Sequence, residues 1–286
     1  MLEERHCRIL RPRSFSPLKW RSHGSSFVVL PDGARLAVTV TGSGRDLVLV
    51  SGLGGTAAFW DPVVPHLEPH FRVIRFDQRG IGRSDRGTEQ VNINRLAHDT
   101  LAVLEHVDAR NAMLLGHSTG GVILQELALI DPSRVGALVL SGTWARPNRF
   151  MAELSRSRTV LLKTVPREYA AMLAFIGYTP DWLNANWAHY ETMLAAAPMT
   201  PEQQRVVEER IQALLAFDRS SDIGSISLPT LIQGAEDDLI VPAFLQRELA
   251  SLMPKAELRI LPSGGHFFPV TRLQEFVGML VEWKNA

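Results

Sequence analysis

Four short runs of nearly unbroken apolar residues, DLVLV (46–50), FRVIRF (71–76), AMLLG (112–116) and VGALVLS (135–141), are each separated from the next by enough chain for a crossover. A strand with one wet face alternates apolar and polar residues, so continuous apolar runs mean that both faces are covered. Parallel strands joined by helices meet that condition, and this half of the chain is predicted to be α/β. The connecting stretch NINRLAHDTLAVLEHV agrees, because Ile93, Leu96, Leu101, Leu104 and Val107 recur roughly as one helix face would. Ahead of the first run, FVVL and RLAVTV flank the turn signal PDG and read as an antiparallel hairpin.

From about Asn148 to Gly224 the strand-like runs vanish and helix signals multiply. Thr179 before Pro180, and Thr200 before Pro201 with Gln203 three residues after the threonine, read as N-caps with proline in the first turn; the second pair has capping-box spacing. An inserted helical cap of roughly four helices is expected over 148–224. Strands resume at LPTLIQ (228–233) and AELRIL (256–261), and LQEFVGMLVEW reads as a closing helix. The core is therefore expected from two pieces, 26–147 and 225–286, preceded by a basic arm over 1–25.

Composition limits the function classes. Lys plus Arg and Asp plus Glu both number 30 in 286 residues, so no overall field draws nucleic acid or an anionic membrane. Neither is expected as a partner, and no segment is apolar for long enough to span a bilayer. The single cysteine, Cys7, cannot form an internal disulfide, and no Cys/His cluster has zinc spacing. The basic arm lacks the apolar centre of a secretory signal. A reducing, cytoplasmic location follows as the expectation. The partner expected is a small-molecule substrate, and a homodimer is compatible with the sequence.

LLGHSTGGVILQEL (114–127) places Ser118 where an apolar run gives way to a helical pattern, with Gly116 and Gly120 two residues to either side. A serine held in a strained strand-to-helix turn needs small neighbours and presents its hydroxyl clear of the backbone. A chance G-x-S-x-G among 21 glycines is the competing account. The phosphate-cradle reading of Gly52 to Gly55 fails, because the spacing matches neither the Walker nor the dinucleotide fingerprint.

Taken together, VSGLGG after one strand, FDQRGIGRSD after the next, GHSTGG at the turn, PTLIQGAEDDLIVP late and PSGGHFF near the end resemble the α/β-hydrolase family. The resemblance runs from about Phe27 to the C-terminus. It implies a mostly parallel eight-stranded sheet with helices on both faces, an inserted helical cap, and a triad in the order nucleophile, acid, histidine: Ser118, an Asp near 237, and His266. Counting three residues from Gly234 selects Asp237 as the acid. Counting back four from Pro242, or forward nine from Pro229, selects Asp238, which is preferred; the other is expected to be an exposed loop carboxylate. The family's oxyanion donors correspond to the amides of Leu53 and Thr119. His66, His70, His98, His106 and His189 are assigned surface or packing roles, and His117 is expected to point away from Ser118.

SGLGG followed by an aromatic–Trp pair, DQRG, GTWAR, YTPDWLNA, DDLIVP and GGH are most similar to the carbamate or aminoacrylate hydrolases of pyrimidine degradation, and several landmarks to 3-oxoadipate enol-lactonases. What the resemblance implies is cofactor-independent hydrolysis of an acyl C–O or C–N bond in a small carboxylate-bearing molecule, through an acyl-enzyme. Hydrolytic C–C cleavage of a dienoate, perhydrolase activity and a non-turnover receptor are the alternatives. Trp144 and Arg146 at the sheet edge, and Trp187 in the cap, are the expected substrate-binding residues, with Arg146 as a carboxylate clamp. The remaining cap aromatics, Phe175, Tyr178, Trp182 and Tyr190, are expected to form mostly cap core.

Overall fold

In the computed structural model, which describes residues 24–284, the apolar runs pair into one sheet. Its strands are β1 (Gly24–Val29), β2 (Arg35–Gly42), β3 (Arg45–Val50), β4 (Phe71–Phe76), β5 (Ala112–His117), β6 (Val135–Ser141), β7 (Thr230–Ala235) and β8 (Ala256–Leu261), in the order β1-β2-β4-β3-β5-β6-β7-β8. The hairpin is antiparallel, β2 pairs antiparallel to β4, and every pair from β4 through β8 is parallel. The arm read over 1–25 lies outside the described residues except at its last two positions.

Successive side chains of a strand point to opposite faces, and here each face has its own core. On β3, Val48 and Val50 face one core and Leu47 and Leu49 the other. The first core is closed by α2 (Ile93–His106), α3 (Thr119–Ile130) and α9 (Ala243–Leu252). The second is closed by α1 (Val64–Leu67), α10 (Phe268–Thr271) and α11 (Leu273–Lys284). That double cover is why the runs show no alternation. α3 is apolar nearly all round and buried along ten of its residues, as a central helix must be. Its one charged residue, Glu126, is bonded at 2.7 and 2.8 Å by Arg219.

Between β6 and β7 lie α4 (Arg149–Thr164), α5 (Pro166–Gly177), α6 (Pro180–Ala185), α7 (Trp187–Ala195) and α8 (Pro201–Leu215). There are five where four were expected. Val165 precedes Pro166 and is forced out of the helical region, to φ −145° and ψ 70°, which splits one helical run into α4 and α5. Thr200 and Gln203 form both bonds of the capping box, whereas Thr179 stands at the N-cap of α6 without a side-chain cap bond. β7 begins two residues later than LPTLIQ, because Pro229 has no N–H to give the ladder. On α2 the inward face is Ile93, Leu96, Ala97, Thr100, Val103 and Leu104; Leu101 is only partly buried, one position off the 3.6-residue period. Among the described residues no helix is long and apolar enough to cross a membrane.

Candidate active site

β5 ends at His117 and α3 begins at Thr119, so Ser118 must reverse the chain alone. It does so at φ 57° and ψ −123°, a left-handed backbone conformation that L residues avoid. The turn is possible only because the chain nearly touches itself. A Cβ on Gly116 would lie 2.4 Å from the Gly120 carbonyl oxygen, and one on Gly120 would lie 2.1 Å from that of Val50. The glycines are thus required by backbone contact rather than by room for the serine side chain. Ser118 makes no side-chain cap bond to α3.

The acid comes from the loop after β7. Asp238 is buried; one carboxylate oxygen accepts from the amides of Ile240 and Val241, each at 2.8 Å, and the other lies 2.8 Å from Nδ1 of His266. A carboxylate on Nδ1 selects the tautomer protonated there and leaves the Nε2 lone pair as the basic site. The His266 ring lies 4.8 Å from that of His117, the residue preceding Ser118, so three distant stretches of chain meet at one sheet edge.

His117 packs against the triad histidine candidate. Its ring fills the space behind His266, stacked on Phe59 at 5.3 Å and with Nδ1 3.1 Å from the Ser141 hydroxyl. Burial, and after it the charge of nearby His266, hold its pKa well below the usual imidazole value, so it stays neutral at neutral pH. His189 is bonded to the Tyr178 hydroxyl and His106 to that of Ser26, in keeping with packing roles.

Asp237 is exposed but not idle. Its two oxygens accept from the amides of Gly264 and Gly265, at 3.1 and 2.8 Å, and so hold the loop that carries His266. Asp237→Ala is expected to cost about 1–2 kcal/mol in urea unfolding, and Asp237→Asn less, because the amide retains an acceptor oxygen. Equal losses in both variants would show that the carboxylate acts through charge rather than through these bonds.

A cavity opens at the serine. Ser118, Leu53, Thr119 and Trp144 line it, so the proposed nucleophile, both expected oxyanion residues and one expected substrate contact share one space. Thr119 opens α3, where the first amides have no intrahelical acceptor. Met151, Leu154, Ser155 and Arg158 line it from α4 and Leu214 from α8; Ile240 and Val241 complete the lining from the loop that binds Asp238.

Two expected contacts lie elsewhere. Arg146, expected as the carboxylate clamp, is 53% exposed, is paired with Glu248 of α9 at 2.8 Å and is not among the residues lining the cavity. Trp187 is 48% exposed and packs on Tyr190, because α7 buries no residue on its own account. Tyr178 and Trp182 form a small cap core with Phe267, whose amide bonds the Gly177 carbonyl at 2.9 Å and docks the cap beside His266.

The DQRG stretch carries a role that motif reading did not assign. Asp77 accepts from the amides of Ala57 and Arg83, and Gln78 donates to the Ser51 carbonyl at 2.6 Å; together they fix the loop bearing Leu53. Buried Arg210, from α8, donates in turn to Gln78. Side-chain chemistry suited to such bonds is visible in the sequence, but the partner is more than 100 residues away. Among the described residues no group of three or more His, Cys, Asp or Glu side chains gathers as a metal site.

The family model for the alpha/beta hydrolase fold matches residues 47–273. A relative from Azorhizobium caulinodans, named "Putative carbamate hydrolase RutD", is 34% identical over 253 residues, covering 87% of this chain and 94% of its own. Among solved structures, a hydrolase from Pseudomonas aeruginosa PA01 superposes with a TM-score of 0.82 at 29% identity, over 92% of this chain and 98% of that one. The enol-lactonase from Burkholderia xenovorans LB400 also gives 0.82, over 91% of this chain and 100% of its own; at 24% identity it speaks for the fold alone.

Proposed function

The chain belongs to the α/β-hydrolase family and is a hydrolase, and from that premise we propose that it is a serine hydrolase cleaving an acyl C–O or C–N bond of a small, carboxylate-bearing molecule. The observation that carries the reading is the 2.8 Å bond between buried Asp238 and His266, whose ring packs 4.8 Å from that of His117, the residue before a serine that sits on a strained turn and lines a cavity. In this reading α4 to α8 form the cap over the serine. The relative named as a carbamate hydrolase supports the bond class.

His266 Nε2 takes the proton of Ser118 Oγ as the oxygen attacks the substrate carbonyl carbon. The carbonyl π electrons move to its oxygen, which the amides of Leu53 and Thr119 stabilise; losing one such donor costs about a hundredfold to a thousandfold in rate. Collapse breaks the bond to the leaving oxygen or nitrogen, which departs with the proton from His266. Water, deprotonated by the same ring, then attacks the acyl-enzyme and frees the acid and Ser118. Asp238 holds the ring and balances its transient positive charge without taking the proton.

Purified protein is expected to hydrolyse p-nitrophenyl acetate and to lose that activity on stoichiometric labelling by a serine-reactive phosphonate, with the label on Ser118 by peptide mass. Absence of turnover, or a label elsewhere with activity lost, overturns the reading. A panel of esters, enol-lactones, N-acyl compounds, carbamates and vinylogous diketones then separates acyl C–O and C–N cleavage from C–C cleavage.

A further inference from the structure

We propose that Arg158 is the carboxylate receptor of this cavity, so that the acyl group it accepts carries a carboxylate directed toward α4 while its carbonyl lies at Ser118. The proposal rests on the reading of Ser118 as the reacting group, because that reading makes the cavity an acyl pocket. Met151, Leu154, Ser155 and Arg158 recur at i, i+3, i+4 and i+7 on α4, so one helix face lines the cavity. On that face Arg158 is the ionisable residue, and it is only 7% exposed.

Among the described residues no carboxylate pairs with it. The neighbouring cations of α4, Arg156 and Lys163, pair at the surface with Glu153 and Glu208. Arg158 has instead the ring of Tyr169, 5.5 Å away, and the Tyr169 hydroxyl at 3.2 Å from one terminal nitrogen; its Nε is buried without a partner among the described residues. A buried cation without a counter-charge is costly to keep, and a planar guanidinium with unused N–H groups matches a carboxylate in two parallel bonds. Two further unpaired buried polar atoms belong to the same lining, the indole N–H of Trp144 and the hydroxyl of Thr119. The rest of the lining is largely apolar, as suits a short hydrocarbon chain between the two polar ends.

The test compares the 4-nitrophenyl monoesters of succinate, glutarate and adipate with neutral 4-nitrophenyl butyrate and valerate. The wild type is expected to favour at least one anionic ester by tenfold or more in kcat/KM, the order of one charge-assisted bond. Arg158→Gln is expected to raise KM for that ester about thirtyfold or more while changing KM for the neutral esters less than about threefold. Arg158→Lys recovers only part of the preference, since an ammonium cannot bond bidentately. Tyr169→Phe, which removes the hydroxyl and leaves the guanidinium, keeps the preference. Calorimetric binding of glutarate to the wild type and to Arg158→Gln needs no turnover and works even if the variant is less stable. Glutarate binding lost with Arg158, in a protein that shows no turnover, would overturn the hydrolase reading and leave the receptor standing. Turnover with no anionic preference in the wild type, or equal KM changes for anionic and neutral esters in Arg158→Gln, overturns the receptor and leaves the hydrolase.

Discussion

Ser118→Ala is expected to reduce ester hydrolysis to the uncatalysed background, and Asp238→Asn to lower kcat by about four orders of magnitude with the fold intact. The second loss follows from proton placement. In Asp238→Asn the amide oxygen can still accept from Ile240 and Val241, which turns the amide NH₂ toward His266. An NH₂ facing Nδ1 demands a lone pair there, so the ring carries its proton on Nε2 and has nothing with which to accept from Ser118. Asp237→Asn leaves that tautomer alone and is expected to retain most activity. Steady-state kinetics on p-nitrophenyl acetate, with circular dichroism to check folding, decides the matter. A collapse in Asp237→Asn with Asp238→Asn active would move the acid by one residue.

Arg79→Met is expected to destabilise the protein by about 3–5 kcal/mol. Arg79 is fully buried and joins three separate segments: its guanidinium bonds Asp99 of α2 at 2.8 and 2.9 Å, and Asp32 of the β1–β2 turn at 2.5 Å. A methionine of similar length fills the volume but leaves two carboxylates facing each other without a cation. Burial alone would raise the pKa of Asp32, yet the Arg79 bond and charge, together with amides of Ala34 and Glu89, bring it down to about 2. A carboxylate depressed in the folded state stabilises fully above its unfolded pKa of about 3.9, and that contribution is lost as pH falls through about 2. The wild type should therefore lose stability on acidification between roughly pH 4 and 2, and Arg79→Met should show less of this slope. Urea unfolding between pH 2 and 7 reads both effects; an Arg79→Met midpoint within error of the wild type at pH 7 would show that the triad contributes nothing net.

Much of this is legible in the amino-acid sequence. The β4, β6 and β8 runs coincide with their predicted residues; β4 and β6 lie inside the sheet, where a strand covered on both faces leaves no ambiguity of period, and β8 is the edge strand, paired along its whole length to β7. Ser118 was legible because its chemistry and its backbone demand lie in the same five residues. Two of the boundaries that moved were set by proline: Val165 before Pro166 broke a helix, and Pro229 delayed β7. Each obeys a local rule that the apolar pattern alone does not weigh.

Charged side chains were another matter. Arg146 stood close to the site in sequence and found Glu248 at the surface, whereas Arg158, in a helix with several arginines, is the one that reaches the cavity. Asp237 and Asp238 differ by a single position, and the 2.8 Å approach of His266 to the second separates them in space. The order of elements and the candidate turn at Ser118 were determined by the sequence alone, since apolar periodicity and the G-x-S-x-G spacing act over a few residues. Only the tertiary structure decided which charges are buried and with whom, because a long polar side chain takes its partner from whatever the fold brings alongside it, across separations that no local pattern encodes.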